Sequence, residues 1–151
     1  PLITQVHGFY QSATNNMNGQ WLNHAVTLDA HTANPVKGMK SVVNMMPYAL
    51  TFSSDTDTSV TESNFTFEIR ARNDTSSDAA LSTSNTTNRG TITLNNLTTS
   101  KGEMGLINNP SQISTNQHWG LYINSVVWSS NNETNTYYSS EFVVKVYFYQ
   151  V

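Results

Sequence analysis

The stretch Tyr137–Val151 restricts the fold more than any other part of the chain. It reads Tyr-Tyr-Ser-Ser-Glu-Phe-Val-Val-Lys-Val-Tyr-Phe-Tyr-Gln-Val. Phe142, Val144, Val146 and Phe148 recur at period two on one face, and Val143, Lys145, Tyr147, Tyr149 and Val151 occupy the other. β-Branched and aromatic residues dominate, with neither Gly nor Pro, which predicts a long strand. The first face is apolar enough to enter a core. The second is aromatic with a single charge, as on a partly covered sheet face. A strand of this quality belongs in the middle of a sheet.

The rest of the chain repeats the theme. Phe65, Phe67, Ile69 and Ala71 alternate with Thr66, Glu68, Arg70 and Arg72, the pattern of a half-buried antiparallel strand with a wet outer face on which Glu68 and Arg70 can pair. Further strands are expected at Leu2–Tyr10, Trp21–Ala30, Lys40–Val43, Tyr48–Phe52, Ile92–Leu97, Met104–Ile107 and His118–Trp128. The last is expected to bend near Asn124 and Ser125, and a brief strand is expected at Ala79–Ser82. Pro47 favours a strand start or an edge. Between these runs lie Ser/Thr/Asn-rich connections, notably Ser53–Ser59, Asn73–Asn88 and Ser129–Thr136. No segment longer than about ten residues holds the 3.6-residue helical period, and turn signals recur every 8–12 residues, as in sandwiches. The reading is an all-β, antiparallel sandwich, with a jelly roll as the alternative.

Composition narrows the function. Only 11% of residues are charged and the net charge is -3, so no basic surface exists to neutralise phosphates and no nucleic-acid partner is expected. Polarity comes instead from Asn, Thr and Ser, 57 of 151 residues, a composition associated with exported surface proteins. Cysteine is absent, which excludes a disulfide framework, a thiolate zinc site and cysteine catalysis. No run of 18 apolar residues occurs, so no helical membrane span is expected. The chain opens at Pro1 without Met or a signal-like segment, as a processed chain or a trimmed one would.

Motifs for chemistry are missing. His7, His24, His31 and His118 lack ligand spacing, and Asp55 and Asp57 lack the Gly and distal Glu of a calcium loop. There is no nucleophile elbow, triad pattern or phosphate loop. Neither enzymatic activity nor a metal or cofactor is expected. The tryptophans carry more information. Trp21 precedes Asn23-His24, and Trp128 precedes Ser129-Ser130-Asn131-Asn132, so both stand at strand–loop junctions beside amides. An indole face with neighbouring amides is suited to stack on a sugar ring and bond its hydroxyls. Trp21, His24, Trp128 and Asn131 are the candidate ligand residues; the competing reading has both tryptophans capping the core. Trp119, in phase with Leu121 and Ile123, is expected in the core.

The ending Thr136-Tyr137-Tyr138-Ser139-Ser140-Glu141-Phe142-Val143-Val144-Lys145-Val146-Tyr147-Phe148 resembles that of bacterial pilins assembled by periplasmic chaperones and outer-membrane ushers, in the branch without cysteine. The opening Ile3-Thr4-Gln5-Val6-His7-Gly8 is similar to a pilin strand, although a donor segment is ordinarily a cleaner apolar alternation than Leu2–Tyr10. The resemblance implies an immunoglobulin-like sandwich over residues 13–151 completed by a donated strand, residues 1–12 of a neighbouring copy. Leu2, Thr4 and Val6 would then be donor positions, with Phe142, Val144, Val146 and Phe148 beside the acceptor groove. It further implies export through the periplasm to the cell surface, self-polymerisation, chaperone and usher partners, and adhesion to a host glycan or receptor. The alternative function is a self-contained carbohydrate-binding sandwich or jelly roll: an adhesin tip, a lectin, or a phage or viral surface module.

Overall fold

A computed structural model describes residues 2–13, 19, 21–24, 38–55, 63–75, 79–97, 103–128 and 140–151; of these, 2–13, 23–24, 53–55, 63, 96–97, 126–128 and 140–143 are described by backbone alone. Every regular element among them is a strand: β1 (Leu2–Ala13), β2 (Asn23–His24), β3 (Met39–Lys40), β4 (Met45–Asp55), β5 (Ser63–Arg72), β6 (Thr86–Leu97), β7 (Glu103–Leu106), β8 (His118–Trp128) and β9 (Ser140–Gln150). They form two antiparallel sheets, ordered β2-β1-β9-β4-β7 and β3-β8-β5-β6.

The pairing has a simple logic. Setting aside the two-residue β2, the first strand pairs with the last (β1 with β9), the second with the second-last (β3 with β8), the third with β7, and β5 with its neighbour β6. This nest of four antiparallel pairs is rolled up by two further contacts, β4 with β9 and β5 with β8. That is the connectivity of a jelly roll. The all-β antiparallel sandwich expected from the periodicity is therefore observed, and of its two connectivities the strand order follows the jelly roll. An immunoglobulin domain would instead pair its first strand with the next one in sequence along the sheet.

The core lies between the sheets, where the period-two faces meet. Val144, Val146 and Phe148 of β9 and Leu50 and Phe52 of β4 face Phe65, Phe67, Ile69 and Ala71 of β5, Ile92 and Leu94 of β6, and Trp119, Leu121 and Ile123 of β8. All are buried. Phe52 contacts Phe65 with ring centroids 5.4 Å apart, and Trp119 meets Phe148 edge-on at 4.9 Å, so aromatic pairs join the two layers. Burying each such side chain contributes about 1.5–3 kcal/mol. Trp119 is in the core, as its phase with Leu121 predicts.

Boundaries shift where local chemistry differs from the alternation. In β8, Thr66 pairs with Ser125 but Phe67 with Ile123, so Asn124 is an extra residue, a bulge at the expected bend. β6 begins at Thr86, earlier than expected, and Ala79–Ser82 is not a strand. There the Asn85 side chain accepts from Ser82 N–H (2.9 Å) and donates to the Ala80 carbonyl (2.9 Å), which closes a compact turn in place of ladder bonds. Expectations for residues 25–30 and 129–136 lie outside the described residues.

Candidate interaction site on the outer face of the five-stranded sheet

One face of each sheet remains after the core is built, and the two outer faces differ. On the four-stranded sheet, part of the face expected to be wet is covered. Gly19 and Leu22 bond to β8, Gly19 N–H donating to the Ile123 carbonyl and Leu22 N–H to that of Leu121, both at 2.9 Å. Trp21 thereby lies beside Tyr122 with ring centroids 5.0 Å apart, and joins Leu81 in a small second apolar cluster. Gly120 permits this: a Cβ there would approach Leu81 Cδ1 to 2.6 Å and the Trp21 ring to 3.3 Å. Arg70 fixes the neighbouring turn. Its guanidinium pairs with Glu68 and donates to Thr86 Oγ1 (2.9 Å) and to the carbonyls of Thr86 (3.1 Å) and Thr83 (3.3 Å). The Glu68–Arg70 pair is thus half of a loop anchor, with both side chains only 14% exposed.

The outer face of the five-stranded sheet carries exposed apolar side chains. Its geometry starts at Pro47, where the β4 register against β9 shifts between Pro47 and Ala49. The irregularity brings Tyr48 onto the same face as Tyr149 and Tyr147, at ring-centroid distances of 4.3 and 6.3 Å. Bulges commonly re-aim a side chain in this way. Across the sheet, Tyr147, Ala49 and Leu106 form one row, and Lys145, Thr51 and Met104 the next. Gly105 points inward, where a Cβ would meet Ile92 and Leu94, so Met104 and Leu106 point outward. They are 67% and 72% exposed, and Tyr149 is 44% exposed. Lys145 is the one charge among the described side chains of this face; farther along the register, Asp55 and Glu141 are cross-strand partners.

The sequence-derived candidates are distributed as follows. Val144, Val146 and Phe148 are core residues, and Phe142 stands opposite Gln11 and Ser54 in register. β9 is flanked by β1 on one side and β4 on the other. Leu2 is opposite Tyr149, and Thr4 and Val6 fall within the register shift between Ile3 and His7. Trp21 is buried, with its ring against Tyr122, in the second apolar cluster and not in the core between the sheets. His24 pairs with Phe9, and Trp128 with Ser63 at the end of β8; Asn131 lies outside the described residues. Among the described residues, Trp21, His24 and Trp128 stand beside Tyr122, Phe9 and Ser63 respectively.

The sequence had marked Tyr147 and Tyr149 as a partly covered aromatic face. It missed Tyr48, Met104 and Leu106. Tyr48 is in phase with Leu50 and Phe52, so alternation alone would send it to the core; the irregularity after Pro47 turns it outward, and Pro47 was the available signal. Among the described residues, no group of three or more potential metal ligands occurs and no helix is long and apolar enough to cross a membrane. No protein-family model and no curated protein matches the chain.

Proposed function

We propose that this chain is a jelly-roll subunit of an extracellular surface structure, a fibre head or coat module that mediates attachment through carbohydrate. The observation that carries the reading is the double flanking of β9: its neighbours are β1 and β4 of the same chain. A subunit polymerising by strand donation needs an open edge beside this strand, and the first strand of this chain already occupies it. The charge-poor, amide- and hydroxyl-rich composition supports an exported surface role. The connections 56–62, 98–102 and 129–139 all begin and end at one end of the sandwich, because Asp55, Ser63, Leu97, Glu103, Trp128 and Ser140 are the strand termini there. Trp128 stands at that end and carries the carbohydrate part of the reading.

Two measurements test it. Electron microscopy of the intact chain should show discrete particles, and a chain lacking residues 1–12 should lose its cooperative unfolding transition. Linear fibres that dissociate on adding a peptide of residues 1–12 would return the protein to the strand-donation class. Glycan-array binding should be present in the intact chain and at least ten-fold weaker in Trp128→Ala. Undiminished binding by a folded Trp128→Ala would remove that residue from recognition.

A further inference from the structure

We infer that the shallow depression over Ala49 and Thr51, on the outer face of β9, β4 and β7, binds a saccharide that carries a carboxylate. The inference rests on the carbohydrate part of the reading above but not on Trp128, and it adds a second sugar-binding place on the other sheet.

The depression follows from side-chain size and register. Ala49 stands between Tyr147 of β9 and Leu106 of β7, and Thr51 between Lys145 and Met104. The two walls are two strand spacings apart, roughly 10 Å, and the floor between them carries only a methyl group and a threonine side chain. Tyr48 closes one end, with its ring 4.3 Å from that of Tyr149 and 6.3 Å from that of Tyr147. Aromatic rings therefore border the floor on two sides, and thioether and aliphatic groups border it on a third.

Two observations select the occupant. The first is chemistry on a small scale. The exposed apolar area is of ordinary size for a monomer and well short of the roughly 800 Å² that a stable protein interface takes from each partner, so the face suits a ligand of one or two rings. A pyranose presents C–H groups on its faces and hydroxyls on its rim. Tyrosine meets both, with an apolar ring and a phenolic group that donates and accepts, and it loses little conformational entropy in doing so. Thr51 supplies a further hydroxyl.

The second is charge. Lys145 is exposed and is the one charge among the described side chains of this face. Its register partners are Thr51 and Gly8; neither is charged, and Gly8 has no side chain to cover it. Glu103 is in phase with the inward-pointing Gly105. Glu141 and Asp55 stand four residues along the register from Lys145 and Thr51, roughly 13 Å away, beyond the screening length of about 8 Å at physiological salt. A lone ammonium at the open end of the depression fits a carboxylate, and the two acids beyond it direct the body of the sugar back over the tyrosines.

The test uses the intact, isotope-labelled chain and monovalent saccharides in solution, which read each site separately, whereas an array sums both sites through multivalency. Sialyllactose should bind about ten-fold more tightly than lactose, and the amide shifts it causes should cluster at residues 48–51, 104–106 and 145–149. Lys145→Gln should bring the two saccharides to the same affinity, and Tyr149→Ala should weaken both about ten-fold. Val42→Ala, at an exposed apolar position outside the face, should leave binding unchanged. If Tyr149→Ala fails to fold, Lys145→Gln and the shift map carry the test. Shifts confined to the Trp128 end would overturn the inference and leave the carbohydrate reading standing, whereas a wild-type chain that binds no saccharide would remove both. Equal wild-type affinity for lactose and sialyllactose would overturn the assignment of a carboxylate. Shifts at this face caused by phosphatidylserine vesicles and by neither saccharide would give it to a bilayer and overturn the inference as well.

Discussion

The side-chain amide of Gln117 donates to the main-chain carbonyl of Arg72 at 2.7 Å, across 45 residues of sequence, and both residues are buried. Its own oxygen accepts from Ser114 N–H at 2.8 Å. One side chain thus ties the β7–β8 connection to the end of β5 and satisfies two main-chain groups. Gln117→Leu should destabilise the protein by about 1–3 kcal/mol, the usual cost of leaving buried polar groups without partners. Urea denaturation with an unchanged m-value would measure it.

Trp21→Ala should act on stability. The indole is buried against Tyr122 and Leu81, and its removal opens a cavity worth about 3–5 kcal/mol. Thermal melts should show a large drop in Tm. Wild-type stability with selective loss of glycan binding would instead restore Trp21 as a ligand residue.

Gly38→Ala tests a backbone constraint. Gly38 has φ +84°, and a Cβ there would come within 2.5 Å of the Trp119 carbonyl oxygen. A left-handed conformation costs a non-glycine residue about 1–2 kcal/mol, and the contact with a main-chain atom adds to it. The expected result is a loss of at least about 2 kcal/mol by chemical denaturation, larger than that of alanine at the exposed Lys40.

Arg70→Lys keeps the charge and discards the fork. The lysine ammonium can still meet Glu68 but cannot also reach Thr86 Oγ1 and the carbonyls of Thr83 and Thr86. The expected global cost is about 1–2 kcal/mol, with faster amide exchange concentrated in residues 79–86. Exchange unchanged in that turn would show that Arg70 does not hold it.

Much of this architecture could be read from period-two alternation. Phe65–Ala71 and Phe142–Phe148 declared their core faces because each buries every second residue against the opposite sheet. Asn124 announced the β8 bend, since a polar turn-former between Ile123 and the following valines breaks the pattern. Alternation fails where an inserted residue resets the phase, as at Tyr48. It also fails where a distant turn covers an outer face, as Leu81 does beside Trp21. Partner choice was less legible still. The alternation in Leu2–Tyr10 reports a strand, and nothing local to it says that its neighbour begins at residue 140. For the interaction face, two tyrosines were visible as a pattern, while Met104 and Leu106 became surface groups only once Gly105 was seen to point inward.

The nesting of strand pairs also dictates a timetable. The β5–β6 hairpin joins segments close in sequence and can form by itself, whereas pairing Leu2 with Tyr149 closes nearly the whole chain. Loop-closure entropy makes such distant pairings slow. During synthesis β1 emerges before every other strand named above and is among the last of them to be housed, because its partner β9 is made after all of them. Until then β1 is an unpaired edge, exposed to whatever strand it meets first. Its mixed alternation, interrupted by Thr4, Gln5 and His7, makes it a poor template for such encounters, and the same irregularity that weakens it as a donor protects it while it waits.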